Sequence, residues 1–594
     1  MFLKCSKRKK DGKEHRYWSV VESVRVGGGR VVQRHVLYLG EINDSERASW
    51  TKTIEVLDGS SGVSRQVALF PSDREVCSDA ISPVRVYLER MELLRPRQWG
   101  ACWLFCELWR VLKLDEFWAL RLPPSRKGTR WVNVLKTLVA YRLIEPGSEW
   151  RLHRHWFDQS AMADLLGEDC RLVQKDTLYR CHDLVVAHKE DLFRHLKARW
   201  GELFKASFDI LLYDLTSTYF ESSPPSADSN SLKRYGYSRD KRSDCVQVVV
   251  ALIVTPEGFP LAYEVMKGNT ADKTTLREFL TKITDLHGKA NRVWVMDRGI
   301  PTEAVLAEMR ESDPPVSYLV GTPKGRLTKL EKSFLEQPWE QAREAVTVKL
   351  LAQDEEVYVL ARSDARVQKE RSMRRRLQRQ YYERLKELQE MTITRDALLQ
   401  KLGAAKAKAS RAAKLFSVIV PTLQEWEAGH RLSFTIDRKA IQQLARREGA
   451  YLLRSNLTGE SPAVLWERYI QLTEVEQAFK ELKNDLSLRP IYHQKDSRIE
   501  AHIFIAFMAY CISVTLKNQL KARASGITTR SALEKFATVQ MLDVNVPTDS
   551  GKVLSMSRYT QPSKDLQLLL AMLNLTLPNQ SPPRISAAQQ PTYH

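Results

Sequence analysis

Between residues 207 and 322 the chain alternates between two hydrophobic periods, and the order in which it does so limits the folds open to it more than any other feature. SFDILLYDLTSTYF (207–220) and VQVVVALIVT (246–255) are rich in β-branched and aromatic residues and read as strands. Pro256-Glu257-Gly258 reads as a tight turn, and FPLAYEVM (259–266) as the strand that returns from it. DKTTLREFLTKITDLH (272–287) switches to a helical period, with Asn269, Thr270 and Asp272 as candidate N-caps. RVWVMD (292–297) is then a fourth strand, 301–311 a second helix, and VSYLVGT (316–322) a fifth strand. The order β-β-β-α-β-α-β is a three-strand antiparallel meander followed by strands that return through helices.

That order matches an RNase H-like arrangement. The expected fold class is therefore α/β, with an RNase H-like catalytic core built on a mixed five-stranded sheet with helices. The pattern breaks off after residue 322. AVTVKLLAQ and YVLARS suggest a further hairpin, residues 365–414 are helix-forming and strongly basic, and a strand (431–437), a helix (438–447) and a strand (451–455) follow, with Gly449 as a helix C-cap. Six segments result: a β-rich region at 1–95, with a hairpin through the glycines at 27–29; a helical domain at 96–205; the first part of the core at 206–322; a large α+β insertion at 323–460; the second part of the core at 461–525; and a helical C-terminal region and tail at 526–594.

Charge narrows the class of partner. The 594 residues carry 92 Lys+Arg against 72 Asp+Glu, a net charge of +20, and an excess of that size speaks to partners rather than to fold. Half of it lies in one place: residues 362–414 hold 16 basic and 6 acidic residues, net +10. Eight cysteines are scattered without a C-x-x-C pair, which argues against a zinc ribbon or a disulfide framework and for a reducing compartment. Cys102 and Cys106, four apart in an apolar stretch, read as packing residues. The N-terminus lacks the apolar region of a signal peptide. The longest apolar stretch, Ile503–Leu516, falls short of the ~18–20 residues that span a bilayer and reads as a buried helix.

Three acids stand out by position. Asp214 lies within the first strand among apolar neighbours, where a carboxylate is costly unless solvated, paired or bound to a cation; a strand-end Asp capping the Thr216-Ser217-Thr218 turn is the other reading. Asp297 closes the fourth strand, at the carboxyl end where ligands bind in α/β sheets; Gly299 and Pro301 also suit it to an Asx-turn. In the expected strand order the first and fourth strands are neighbours, so the two carboxylates approach each other, and a divalent cation such as Mg²⁺ would offset their repulsion. The third acid is Glu476 in YIQLTEVEQAFKELK (469–483). There Tyr469, Glu476 and Lys483 are seven apart and fall on one helical stripe, unlike the uniformly solvated face that charged helix residues more often form.

These residues, in this order, resemble the DDE transposases of bacterial insertion sequences, in the insertion-sequence-four superfamily. Asp214 in YDLTSTYFE and Asp297 in MDRG match the contexts of that family's first two acids. Its Glu lies in a Y-x2-R-x3-E-x6-K signature, which Tyr469, Glu476 and Lys483 match in spacing, while Leu472 stands where the family has Arg. GYSRDKRSDCVQVVVAL, KGNTADKTT and LSLRPIYHQKDSRIEAHIFIAF also look like the family's core, so the resemblance covers roughly 205–520. The separation of 179 residues between Asp297 and Glu476 is far too long for a βα loop and corresponds to the insertion such proteins carry.

The resemblance implies an enzyme that binds the ends of a mobile element, cleaves phosphodiester bonds there and joins the freed 3′ ends to target DNA. It implies that Asp214, Asp297 and Glu476 are the catalytic acids and hold two Mg²⁺ ions, with Mn²⁺ able to substitute. It assigns Tyr469 and Lys483 to contacts with DNA, to which Arg298, Lys480, and the ridge of Arg371, Arg375 and Arg379 are added as phosphate-binding cations. The basic tract at 4–10 is a further grip on phosphate, and the resemblance makes the segments 1–95 and 96–205 the candidates for DNA-end binding. The implied partner is double-stranded DNA, both element ends and target, bound by a homodimer in the bacterial cytoplasm. An RNase H-like nuclease that cleaves without joining, and an inactive DNA-binding protein derived from a transposase, are the competing readings.

Overall fold

The structure is a computed structural model. It describes residues 2–10, 13–25, 31–40, 53–57, 64–68, 84–125, 128–221, 224, 231–288, 290–580 and 583–587, so the glycine turn expected at 27–29 lies outside the described residues. The chain forms two compact units, one of residues 186–504 and one of residues 1–185 with 505–594. The boundary at 504/505 falls inside the helix Asp496–Arg523.

The unit 186–504 is organised by one nine-stranded sheet. Its strands are β1 (Ile210–Phe220), β2 (Val246–Val254), β3 (Pro260–Lys267), β4 (Val293–Met296), β5 (Ser317–Thr322), β6 (Glu340–Arg343), β7 (Val346–Gln353), β8 (Glu356–Ser363) and β9 (Ala450–Ser455), in the order β3-β2-β1-β4-β5-β9-β8-β7-β6. β1, β2 and β3 pair antiparallel, as the meander requires. β4 pairs parallel with both β1 and β5, and the intervening helices α1 (Leu276–His287) and α2 (Glu303–Glu311) provide the crossovers. All nine residues of β2 are buried, which accounts for a run that is apolar apart from Gln247. Leu276, Phe279 and Ile283 of α1 and Val305, Leu306 and Met309 of α2 pack with Leu211, Tyr213 and Trp294 of the strands into one core cluster.

The five-stranded sheet expected from the sequence is thus extended to nine. The added strands come from the insertion segment: β9 pairs antiparallel with β5, and the β7–β8 hairpin follows it. A buried ion network binds the join. Arg454 of β9 reaches Glu356 at 2.6 Å and Glu303 of α2 at 2.7 Å, and Arg310 donates to the Tyr318 hydroxyl at 2.7 Å. The rest of the insertion has its own small core. The helices α3 (Asp364–Glu390) and α4 (Arg395–Ala409) pack Tyr381, Leu385, Leu398 and Leu402 against Phe416 of a two-stranded ladder, Phe416–Ile419 with Ser433–Ile436.

One helix start also differs from expectation. α1 begins at Leu276, after a 3₁₀ turn at Asp272–Thr274, and none of Asn269, Thr270 or Asp272 is its N-cap. The Asp272 carboxylate is engaged instead by the Arg239 guanidinium.

In the other unit, Phe2–Lys10, Lys13–Arg25 and Val31–Gly40 form an antiparallel three-stranded sheet. Helices Gly100–Val111, Trp131–Ile144 and Lys175–Val185 supply a tryptophan-rich core that buries Trp103, Trp109, Trp118 and Trp156. Cys102 is buried there. The helical C-terminal region expected after 525 is only partly helical. Gln540–Pro547 and Lys552–Tyr559 form a hairpin that pairs with Glu92–Gln98 and Arg584–Ala587 in a four-stranded sheet. The buried Arg97 holds that sheet to Asp164 at 2.8 Å and to Asp543 at 2.9 Å. Asp496–Arg523 is long and apolar enough to cross a membrane, but 94% of its apolar window is buried within the chain.

Candidate active site

Strand pairing sets the first two acids side by side. The parallel register between β4 and β1 runs from Val293↔Ile210 to Met296↔Tyr213, and the next position along each strand is Asp297 and Asp214. β1 continues past Asp214 to Phe220 while β4 ends at Met296, so Asp297 leaves the sheet into solvent beside a half-buried Asp214. The Leu215 N–H donates to Asp214 Oδ1 at 2.8 Å. Burial nevertheless pushes the Asp214 carboxyl up to about 7, and the negative charges of Asp297 and Glu476 add to the rise. The Arg239 guanidinium works against it.

Glu476 comes from the helical segment as expected, although the segment is not one helix. Pro462–Ile470 and Leu472–Lys480 are separate helices, here α5 and α6, joined at Gln471 by short i→i+3 bonds, and Glu481–Asp485 forms a π-turn. Glu476 is exposed on α6. Burial raises its carboxyl pKa, and the charge of Asp297 raises it further. The three acids therefore lie within electrostatic reach: Asp297 and Glu476 disfavour ionisation of Asp214, and Asp297 disfavours that of Glu476. Crowded hard-oxygen donors with too little local positive charge are what a divalent cation relieves.

The break in the helix separates the expected stripe into three different environments. Tyr469 is 8% exposed, with its ring against Tyr451 and Trp466, and its hydroxyl donates to Asp297 Oδ1 at 3.0 Å. A buried ring is not available as an open stacking surface for DNA; it holds an acid. Gly321 of β5 leaves the room: a Cβ there would come within 2.4 Å of the Tyr469 hydroxyl and 3.2 Å of Asp297 Oδ1. Leu472, in the Arg position of the signature, is a buried core residue, which is why an apolar side chain stands there. Lys483, in the π-turn, is half-buried, with only 9% of its side chain exposed. Its Nζ meets Asp240 Oδ1 at 2.9 Å, and Arg489 meets the same oxygen at 2.5 Å. Burial lowers the lysine pKa, and the Asp240 partner opposes that.

The remaining candidates divide likewise. Arg298 and Lys480 are exposed, beside Asp297 and on the same helix as Glu476 respectively. On α3, Arg375 and Arg379 are exposed, Arg379 pairing loosely with Glu383 at 3.8 Å. Arg371 is partly buried, and with Arg374 it grips the buried Glu448, at 3.4 and 2.6 Å. The basic ridge is thus open at 375 and 379 and closed at 371. The tract at 4–10 is a strand in which Lys4 and Lys7 are exposed, and the side chains of residues 8–10 lie outside the described residues.

Arg239, Asp240, Arg489 and Gly321 are the site residues that sequence reasoning passed over. Arg239 and Asp240 lie in the GYSRDKRSD run, whose arginine and aspartate read on their own as one solvated loop. The chain after β1 folds back so that the Arg239 N–H donates to Ser217 Oγ at 3.2 Å, three residues beyond Asp214.

Comparison with known proteins follows the same division of the chain. A family model described as a transposase DDE domain matches residues 206–512. A second, described as the N-terminal domain of the IS1634 family of transposases, matches residues 3–61. Among solved structures, a piggyBac transposase in a synaptic complex with hairpin DNA is similar at 9% identity and a TM-score of 0.34, over 74% of this chain and 79% of that one. No curated protein matches.

Proposed function

Since the chain belongs to the transposase DDE-domain family and is a DNA transposase of the bacterial insertion-sequence type, we propose that Asp214, Asp297 and Glu476 are its three catalytic acids. We read β1 to β5 with their helices as an RNase H-like core. The observation that carries this is the convergence of Asp297 and Glu476 on Asp214, where burial first and then their two negative charges bring the Asp214 carboxyl to about 7. A family of this kind depends on divalent metal; Mg²⁺, two ions of it, suits a set of three carboxylates that leaves coordination positions for water and phosphate oxygens. When bound, such ions would supply the Lewis acidity that phosphodiester cleavage and strand transfer both need.

The chain's own residues do the rest by position. Tyr469 holds Asp297 by one oxygen and so restricts how that carboxylate turns. Arg239 offsets part of the acids' charge before any cation arrives. Arg298 and Lys480, exposed near Asp297 and Glu476, are available to the phosphates flanking a scissile bond. Displacement at phosphorus is dominated by alignment and charge neutralisation, and these are what a fixed sheet edge and a rigid helix provide. Lys483 serves here as a half-buried partner of Asp240. The DNA-bound form is read as a homodimer acting on paired ends in the bacterial cytoplasm.

Asp214→Asn and Glu476→Gln test the assignment. On DNA carrying the element's ends, both should lose Mg²⁺-dependent cleavage by more than about a hundredfold, the upper end for residues that only support a metal ligand, while end binding in EDTA stays near wild type. Cleavage that persists in both variants would sink the assigned site. Cleavage without joining to a target plasmid in the wild type would favour the nuclease reading.

A further inference from the structure

We propose that the loop 233–242 is a stacking platform for unpaired DNA bases beside the catalytic acids, with Tyr235 and Tyr237 as its two faces. Neither tyrosine belongs to the acid site, and both are strongly exposed, at 53% and 84%. A single exposed aromatic is ordinary on a protein surface. Two of them, spaced i and i+2 on a loop held rigid from beneath, are not explained that way.

The rigidity is visible in the backbone. Arg234 and Gln247 exchange both main-chain hydrogen bonds, at 3.1 and 2.9 Å. The Gly268 N–H donates to the Leu232 carbonyl at 3.0 Å, and the Gln247 side-chain amide donates to the Tyr237 and Gly268 carbonyls at 3.1 and 2.8 Å. Gly236 lies so close to the edge of the sheet that a Cβ would sit 2.0 Å from the Gly268 carbonyl oxygen. With Gly236 facing inward, its two neighbours face out. The tyrosine rings are therefore presented on a fixed base, which removes much of the ordering cost of binding.

Charge and place select the occupant. Residues 233–244 carry five cations against two acids; Lys233 is buried, Arg239 is held by Asp272 and Arg242 by Glu221 and Asp244, which leaves Lys241 exposed and Arg234 half-buried at the rim of the loop. That balance favours a polyanion over an apolar peptide. Two residues beyond Tyr237 the chain reaches Arg239, whose N–H is bonded to Ser217 on the Asp214 strand and whose charge acts on Asp214 itself. A strand whose phosphate lies at the acids would bring its neighbouring bases over this loop. Bases can meet tyrosine faces only when they are unpaired, and stacking of this kind is tolerant of sequence. The proposal rests on the acid-site reading for its location, while the binding itself needs neither metal nor ionised acids.

The test compares a blunt duplex with the same duplex carrying an unpaired oligothymidine tail, both bound to the full chain in EDTA. Wild type should prefer the tailed probe. Tyr235→Ala with Tyr237→Ala should cost the tailed probe about tenfold or more and leave the blunt probe unchanged, and Tyr235→Phe with Tyr237→Phe should keep the preference. The proposal is overturned if wild type shows no tail preference, if the alanine pair keeps it, or if the phenylalanine pair loses it, since that last result would mean a hydroxyl contact rather than stacking. Asp214→Asn should keep the wild-type preference for the tailed probe, so cleavage that persisted in that variant would count against the acid site alone.

Discussion

Around Asp214 most of the charge is of one sign. Asp297 and Glu476 both act on it, with Arg239 as the opposing charge, and burial leaves the carboxyl titrating near 7. Along α3 the concentration of charge is greater, yet much of it is met locally: Arg366 by Glu370, Arg371 and Arg374 by Glu448, Arg384 by Glu387. The same contrast appears within one short stretch of sequence, where Glu476 is exposed among acids and Lys483, seven residues on, is half-buried and paired with Asp240. Charge density alone therefore does not mark the chemistry. Charge left without its counterpart does, because a fold keeps such an arrangement at a cost in stability that only a ligand recovers.

The sharpest way to break that contrast is to disturb the acids without removing one. Tyr469→Phe deletes the single hydroxyl that fixes Asp297, and Gly321→Ala drives a methyl group into the same hydroxyl. Each should lower kcat for end cleavage by about 10–100-fold, the range for groups that orient a metal ligand, with DNA affinity essentially unchanged. A higher Mg²⁺ requirement in Tyr469→Phe would place the defect at the carboxylate. Wild-type turnover in that variant would mean that Asp297 is held well enough by its strand.

How much of this was legible in the sequence follows from how local each signal is. The strands around Asp214 and Asp297 were readable because β1 and β2 are dense in β-branched residues and β4 is a short apolar run ending in an acid. Their adjacency followed from the expected RNase H-like strand order, in which the first and fourth strands are neighbours. The nine-stranded extent was not, since whether the β7–β8 hairpin stands alone or joins a sheet is decided by β9, which lies some ninety residues further on and pairs with both β8 and β5. The C-terminal hairpin was hidden for a similar reason: Leu542, Val544 and Val546 alternate over too few residues to outweigh the helices on either side, and their partner strand is Glu92–Gln98. At the site, i+7 spacing placed Tyr469, Glu476 and Lys483 on one stripe. A junction at Gln471 and a π-turn at 481–485 interrupt that helix and leave the three side chains with different partners, and such breaks leave little trace in side-chain periodicity.

A second measure of unmet charge is stability in the absence of metal. The Asp214 carboxyl sits near 7 when folded, against an ordinary value of 3.8, so between those values the folded chain keeps a proton that the unfolded chain has released. Stability must then fall as pH rises from about 4 to about 7, and the loss is complete above that. Asp214→Asn cannot ionise and escapes the loss. In EDTA at pH 8 it should melt above wild type, by less than the roughly 2–4 °C per kcal/mol that holds for 150–250 residues, and the gap should close toward pH 4. Excess Mg²⁺ should stabilise wild type and not the variant. A variant that melts no higher than wild type at pH 8 would show that the acids are well compensated, and would remove the distinction from α3.

The smallest effect expected lies on α3 itself, where the contrast predicts different outcomes for arginines on one ridge. Arg375 and Arg379 are exposed, so each is free to exchange its counterions for a DNA phosphate. Arg371 has part of its charge committed to Glu448, a buried carboxylate that Arg374 also holds. Replacing Arg375 or Arg379 with Ala should weaken binding of any duplex a few-fold and reduce the slope of log affinity against log salt by about one for each phosphate no longer neutralised. Replacing Arg371 with Ala should leave that slope unchanged and instead lower the melting temperature slightly, since Arg374 still satisfies Glu448. If all three variants show the same reduced slope, the ion pairs along α3 open when DNA arrives, and the helix belongs with the acid site as charge held in reserve rather than charge already satisfied.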